Sequence, residues 1–109
     1  MAEVLGTFEQ AVLLAVFRLG ANAYGRAILR ELHDRLERDV AGGAVYATLD
    51  RLESKGLATS KVAAGTAVRG GRPPRYYTVS AVGLRALNNS KSTLDNIWRG
   101  MRWPLKARA

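Results

Sequence analysis

The strongest constraint on the fold of this 109-residue chain is the order of its sequence patterns. Three short helical segments come first, and two β-favouring segments, Leu57–Val62 and Arg75–Val79, follow them. Between the two lies a loop, Ala63–Pro74, that is rich in glycine and proline. Strand-favouring residues on both sides of such a loop predict a β-hairpin with a long tip. We therefore expect a mainly α fold with one small hairpin.

Apolar residues define the first two helices. The first is predicted to begin at Thr7, which forms a capping box with Gln10, and to end at Gly20. It is apolar almost all round, so we expect part of it to lie in a subunit interface. The second helix is predicted over Tyr24–Leu36. Its apolar residues share one face, which is formed by Ile28, Leu29, Leu32 and Leu36.

Two further helices flank the predicted hairpin. The third is predicted over Gly43–Lys55 and ends before Gly56. Its core face follows the i, i+4, i+7 spacing of a helix and consists of Val45, Leu49 and Leu52. The last helix is predicted to begin after Ser80, its N-cap, and to run to about Gly100, with Pro104 as its stop.

The composition excludes several classes of function. The chain has no cysteine, which removes disulfide scaffolds and thiol chemistry, and its single histidine, His33, cannot form a histidine cluster within one chain. No apolar run approaches the ~20 residues of a membrane span, and no glycine-rich phosphate loop precedes a helix. We therefore expect a cytoplasmic, nucleoid-associated protein that has no enzymatic activity and no cofactor or metal.

Positive charge is concentrated in the second half of the chain. Residues 1–53 contain six arginines and eight acids, whereas residues 54–109 contain four lysines, seven arginines and one acid, Asp95. The net charge of the whole chain is +8. This asymmetry favours a polyanionic partner, with nucleic acid ahead of an anionic membrane. On charge alone, a solvated basic tail is an equally valid interpretation.

Three helices followed by a basic hairpin form the plan of a winged helix-turn-helix domain. The third helix would enter the major groove, the second would approach phosphate with its N-terminal N–H groups, and the hairpin arginines would follow the DNA backbone or enter the minor groove. The predicted DNA-binding residues are Tyr24, Arg26, Gly43, Ala44, Tyr46, Ala47, Thr48, Arg51, Lys55, Arg69, Arg72 and Arg75.

Three motifs also carry a resemblance to a known family. The stretches Ala23–Ile28, Gly43–Leu57 and Gly71–Val79 resemble the second-helix entry, the recognition helix and the wing of PadR-type regulators. The resemblance spans about Leu5 to Leu87, although the family usually has threonine where Ala44 stands. It implies a homodimer that represses transcription. It also implies the compact form of the family, in which a single C-terminal helix dimerises, often together with the first helix.

The resemblance further implies how the chain is divided. Residues 1–79 would form the winged helix-turn-helix domain, and residues 80–109 the C-terminal dimerisation helix and a basic tail. Because compact members can bind flat aromatic compounds between their C-terminal helices, the resemblance implies Trp98 as the contact for such an effector. The predicted dimer-interface residues are Phe8, Val12, Val16, Leu87, Leu94, Ile97, Trp98 and Met101.

These observations together favour a homodimeric, sequence-specific repressor that occludes a pseudo-palindromic operator. Its expected partners are double-stranded DNA, a second copy of the chain and a small aromatic effector, with no membrane. Two alternatives remain open, namely a winged-helix adaptor that binds protein and a nonspecific basic protein that binds nucleic acid. Small and cationic residues on the third helix, in place of apolar anchors, favour DNA over protein.

Overall fold

The computed structural model describes residues 4–63 and 73–108. The elements are three helices, a two-stranded antiparallel hairpin and a longer fourth helix: α1 (Thr7–Leu19), α2 (Gly25–Leu36), α3 (Gly42–Ser54), β1 (Ala58–Val62), β2 (Arg75–Val79) and α4 (Ala81–Trp98). A single 3₁₀ turn, Gly20–Asn22, connects α1 to α2. This order confirms the predicted mainly α fold with one hairpin.

The start of α1 differs from the prediction. Gly6 is the N-cap, and no side chain in the described part of the chain caps the first turn. The predicted capping box is therefore wrong, because the Gln10 side chain donates to the carbonyl oxygen of Leu5, at 2.8 Å, and not to the backbone of Thr7. Gly20 ends the helix as predicted, with a φ of 57° that suits glycine.

The middle elements agree with their predictions to within one residue. Tyr24 is the N-cap of α2, which begins at Gly25. The helix α3 begins and ends one residue earlier than predicted, β1 begins at Ala58, and β2 has its predicted bounds. Hydrophobic periodicity thus located the two helices, and strand-favouring residue types located the two strands.

The helix α4 begins as predicted but ends early. The Ser80 hydroxyl accepts a hydrogen bond from the Gly83 N–H at 3.0 Å and so caps the first turn. The helix ends at Trp98, two residues before Gly100, whose φ is 84°. Pro104 therefore lies beyond the helix and does not stop it.

The core lies between the first three helices and the inner face of the hairpin. The predicted core faces of α2 and α3 are confirmed, with Leu29 and Leu36 partly buried and the other members fully buried. In β2 the neighbouring tyrosines face opposite sides. Tyr77 is buried, and its burial raises the pKa of its hydroxyl, whereas Tyr76 is half-buried on the other face.

The hairpin is tied to the start of α2. On the free edge of β2, the Tyr77 N–H donates to the Ala23 carbonyl oxygen at 2.8 Å, and Tyr24 forms an isolated bridge with Tyr76. The chain between α1 and α2 therefore pairs with β2 as a very short third strand. These bonds fix the N-terminus of α2 relative to the hairpin.

A close joint connects the end of α3 to the start of α4. The carbonyl oxygen of Leu57 accepts a hydrogen bond from the Ser80 N–H at 3.0 Å, and the Ser80 hydroxyl donates to the carbonyl oxygen of Gly56 at 2.6 Å. Gly83 packs against the same Leu57 carbonyl so tightly that a Cβ there would overlap its oxygen. The first turn of α4 is thus held directly against the residues that follow α3.

Farther along, α4 is held by the N-terminal segment. The Leu5 N–H donates to the buried hydroxyl of Ser90 at 3.0 Å. Beyond that contact the helix becomes exposed, and the molecule extends 62 Å along its longest axis. Within residues 4–63 and 73–108, no helix is long and apolar enough to cross a bilayer.

Candidate nucleic-acid interface

The outward face of α3 combines small side chains with an arginine. The inner face of this helix is buried in the core, so Gly43, Ala44, Ala47 and Arg51 are exposed on the outside. Small residues let a helix backbone approach a groove closely, and a guanidinium presents donors to base edges or phosphates. Asp50 is also exposed on this helix, although it was not among the predicted site residues.

Thr48 does not lie on this outward face. Its side chain is 2% exposed, and its hydroxyl accepts a hydrogen bond from Arg51 Nη2 at 3.3 Å. The prediction that Thr48 is on the exposed face is wrong, because it lies three residues after Val45 and four before Leu52 and so shares their buried side. In the structure Thr48 instead helps to orient the guanidinium.

Tyr46 lies between α3 and the first turn of α2. Its side chain is 50% exposed, and the ring packs so closely on the backbone of Gly25 that a Cβ there would overlap it. The free N–H groups of a helix N-terminus are a natural place for phosphate. Tyr46 also lines a cleft between α3 and the hairpin that includes Arg75. This position is compatible with the predicted role of Tyr46 in DNA binding.

Arg51 of α3 and Lys55, the C-cap residue of that helix, share an acidic partner from α1. Oε2 of Glu9 lies 3.1 Å from Lys55 Nζ and 3.6 Å from Arg51 Nε. Partial burial alone would raise the pKa of the Glu9 carboxyl, but the hydrogen bond and charge of Lys55, a backbone hydrogen bond from Gly6 and the charge of Arg51 hold it below its usual value near 4.5. Glu9 is therefore ionised at neutral pH and compensates part of the positive charge of α3.

The start of α2 presents an aromatic pair beside a cation. The rings of Tyr24 and Tyr76 are 5.7 Å apart, with their planes at 56°. Tyr24 is thereby held at the N-cap of α2, and Arg26 is exposed in the first turn of the same helix. This arrangement places two predicted DNA-binding residues, Tyr24 and Arg26, at the start of the same helix.

The loop end of the hairpin carries one described arginine, Arg75, which pairs with Val62. Arg75 is exposed, and its Nη1 donates to the Ser60 hydroxyl at 3.0 Å, which in turn donates to Glu53 at 2.7 Å. The predicted contacts of Arg69 and Arg72 lie outside the described residues.

Apolar side chains are exposed on the last turns of α4 and just after it. Leu94, Ile97 and Met101 are 51%, 66% and 61% exposed, and Trp98 is 39% exposed. An apolar stripe of this kind is typical of a surface that meets a partner. Trp98, the predicted effector contact, belongs to the stripe.

Three of the predicted interface residues are not available to a partner. Val12, Val16 and Leu87 are 0%, 1% and 8% exposed, since the core of the same chain covers them. Their assignment to the dimer interface is therefore wrong. Phe8 is half-buried against the core. The exposed apolar residues of α1 are instead Leu14 and Phe17, which sequence reasoning did not single out.

Two residues that shape the site, Glu9 and Gly25, were not predicted from the sequence. Glu9 acts on α3 from 46 residues before Lys55, and local periodicity contains no signal for so distant an ion pair. Gly25 carries a weak signal, since a glycine in the first turn of a helix suggests a close neighbour. The structure identifies that neighbour as Tyr46.

The family is established by comparison with known proteins. Residues 13–89 match the model of the transcriptional regulator PadR-like family, which is more than half of the chain. The chain belongs to the PadR-like family. This confirms the resemblance carried by the recognition-helix and wing motifs. No protein with a curated description matches this PadR-like chain.

Solved structures agree with this assignment. A PadR family transcriptional regulator from Eggerthella lenta DSM 2243 is 30% identical, with a TM-score of 0.64, over 82% of this chain and 75% of that one. A PadR family regulator from Clostridium difficile R20291 is 23% identical, with a TM-score of 0.66, over 86% and 94%. S. aureus MepR in its DNA complex is 16% identical, with a TM-score of 0.57, over 94% and 66%, and so shows likeness of fold alone. The PadR-like chain thus has the winged helix fold.

Proposed function

We propose that this PadR-like regulator is a cytoplasmic homodimer that binds a pseudo-palindromic operator through α3 and represses transcription by occluding a promoter. The observation that carries the proposal is the outward face of α3, where Ala44 and Ala47 leave room beside Arg51. Alanine methyls can contact the thymine methyl, and arginine can donate two hydrogen bonds to guanine. The DNA complex of MepR, which has a similar fold, supports duplex DNA as the partner.

Phosphate contacts would position this helix in the groove. Tyr24, Arg26 and Tyr46 surround the N-terminus of α2, and Arg75 lies at the loop end of the hairpin. Arg69 and Arg72 would extend these contacts along the DNA backbone. Because such contacts carry no sequence information, base discrimination is assigned to α3.

The last turns of α4 would join two subunits. We assign residues 1–79 to DNA binding and residues 80–109 to dimerisation and a basic tail. Leu94, Ile97, Trp98 and Met101 would pack against the same stripe of a second copy about a two-fold axis. That symmetry would present two α3 helices to half-sites one or two helical turns apart.

The exposed ring of Trp98 suggests how repression would be released. A planar aromatic compound bound between two α4 helices would stack on this ring and change the spacing of the recognition helices. Quenching of tryptophan fluorescence by planar compounds, lost in Trp98→Ala, would support this role. Equal quenching in that variant would assign the signal to Trp103 and argue against it.

The experiment that tests the proposed function is selection of random duplex DNA with the full chain at near-physiological salt. A dyad-symmetric consensus is expected, and its half-site spacing would give the distance between the two α3 helices. Retention of DNA without an enriched motif would overturn sequence specificity in favour of a nonspecific basic protein. If no duplex is retained, the adaptor alternative replaces the proposal.

A further inference from the structure

A single carboxylate reaches both cations at the C-terminal end of α3. Arg51 and Lys55 are four residues apart and lie on one side of the helix axis. Glu9 approaches them from α1, and the same oxygen atom, Oε2, lies 3.6 Å from the Arg51 Nε and 3.1 Å from the Lys55 Nζ. The Glu9 carboxylate therefore faces two positive charges.

The three side chains differ in their access to solvent. The Glu9 side chain is 14% exposed, whereas the side chains of Arg51 and Lys55 are 54% and 33% exposed. The carboxylate thus lies on the inner side of the cluster and the cations on the outer side. A phosphate arriving from solvent would meet cations whose charge is already partly compensated.

The orientation of Arg51 is also held by this cluster. Its Nε faces Glu9, and its Nη2 donates to the buried Thr48 hydroxyl at 3.3 Å. A guanidinium held on two sides loses less conformational entropy when it binds a base edge than a freely rotating one does. The same cluster therefore compensates part of the positive charge at the end of α3 and orients Arg51, a candidate base reader.

We propose that Glu9 is a positioning and specificity-determining residue, which weakens the attraction of α3 for phosphate in general while it orients Arg51 for a base edge. This inference rests on the proposed DNA-binding function. Nonspecific affinity comes from neutralised phosphates and released counterions and is independent of sequence. A residue that reduces this contribution and leaves base contacts in place increases the ratio of specific to nonspecific affinity.

The test compares the full chain with Glu9→Gln and with a matched control, Glu31→Gln. Glu31 is also a little-exposed carboxylate that bridges two arginines, Arg18 and Arg35, but neither belongs to α3. Both variants add one unit of positive charge. Affinity for the selected operator duplex and for a scrambled duplex of equal length is measured over roughly 50–200 mM salt.

In Glu9→Gln, binding to the scrambled duplex is expected to become roughly threefold to tenfold tighter at low salt, with a salt slope steeper by about 0.9 per subunit. Operator binding is expected to tighten less, so the specificity ratio falls, whereas Glu31→Gln keeps the ratio of the unaltered chain. If Glu9→Gln melts too early to titrate, Glu9→Asp, which keeps the charge but withdraws it by one methylene, is expected to show a smaller change in the same direction.

Two results would overturn the inference while leaving the proposed function intact. One is an unchanged salt slope and specificity ratio in the Glu9 variant. The other is equal weakening on both duplexes, which would reduce Glu9 to a structural link between α1 and α3. Failure of the unaltered chain to bind either duplex would instead reject the proposed function itself.

Discussion

The ring of Tyr46 in α3 occupies the space that a Cβ at Gly25 in α2 would need. The glycine therefore brings the phenol of one helix onto the first turn of another, next to N–H groups that have no partner within their own helix. A small residue in α2 thus determines where an aromatic residue of α3 can lie.

Replacing Gly25 by alanine should displace Tyr46 and change stability little. The atoms that the new Cβ would meet belong to the end of a half-exposed side chain that can rotate away, and alanine is the better helix former. We expect the Tm to change by no more than a few degrees. DNA affinity should fall to that of Tyr46→Ala. An unchanged affinity would show that the position of the Tyr46 ring does not matter for binding.

Gly83→Ala, unlike Gly25→Ala, should destabilise the fold. The Cβ added there would overlap the backbone carbonyl oxygen of Leu57 and approach the Val79 side chain to 2.8 Å, and the backbone cannot rotate away. We expect a loss of ~1–3 kcal/mol in the free energy of unfolding, measured by urea denaturation. A cost as small as that of Gly25→Ala would mean that α4 shifts freely along the hairpin.

Arg51→Ala should weaken operator binding by ~1–3 kcal/mol and relax the preference at one base pair. The control is Arg85→Ala, which removes the same charge from an exposed position on α4. Competition assays with operators substituted at each position would measure both effects. Equal losses on operator and random DNA would make Arg51 a phosphate contact.

Acid should abolish the stabilising effect of Glu31. The hydrogen bond from Arg35, with that from Arg18, holds the pKa of Glu31 below its usual value near 4.5, although partial burial opposes them. A carboxyl with a lowered pKa stabilises the folded state above its unfolded pKa, and the contribution is lost as the pH falls through the folded pKa.

Urea denaturation should therefore show the unaltered chain more stable than Glu31→Gln at neutral pH. The difference should vanish between about pH 5 and pH 2. A difference that stays constant over this range would mean that the ion pairs of Glu31 contribute nothing measurable.

Ile97→Asp should shift the chain toward a monomer. Its side chain is 66% exposed in the apolar stripe, and a carboxylate buried in the proposed interface would lack a partner. Val82→Asp is the matched control, since Val82 is 47% exposed near the other end of α4. Sedimentation velocity should show a dimer for the control. Dimers in both variants would place the interface elsewhere.

Local sequence patterns were sufficient for the fold because each helix and strand has its signal within a few residues. The spacing of Val45, Leu49 and Leu52 identified the buried side of α3, and strand-favouring residues around a loop rich in glycine and proline identified the hairpin. The residues that cap the helices were predicted less reliably than the buried faces. Ser80 caps α4 as its residue type suggests, whereas at α1 the Gln10 amide bonds the preceding segment and leaves the capping to Gly6.

The site was less predictable because it depends on contacts between distant segments. A helix that is apolar almost all round, such as α1, does not reveal which side meets the core. Val12 and Val16 were therefore predicted to lie in the dimer interface, although Leu14 and Phe17 are the exposed residues. Thr48 lies at the edge of the buried face of α3, where the sequence pattern predicts an exposed polar side chain as readily as a buried one. The hydrogen bond between Lys55 and Glu9 forms only because α1 and α3 pack together.

The Leu57 carbonyl oxygen accepts a hydrogen bond from Ser80 and packs against Gly83, so the base of α4 is fixed to the residues that follow α3. The helix has 18 residues and is about 27 Å long. A change in the direction of α4 that a partner imposes at the exposed tip would therefore be passed to the residues that follow α3.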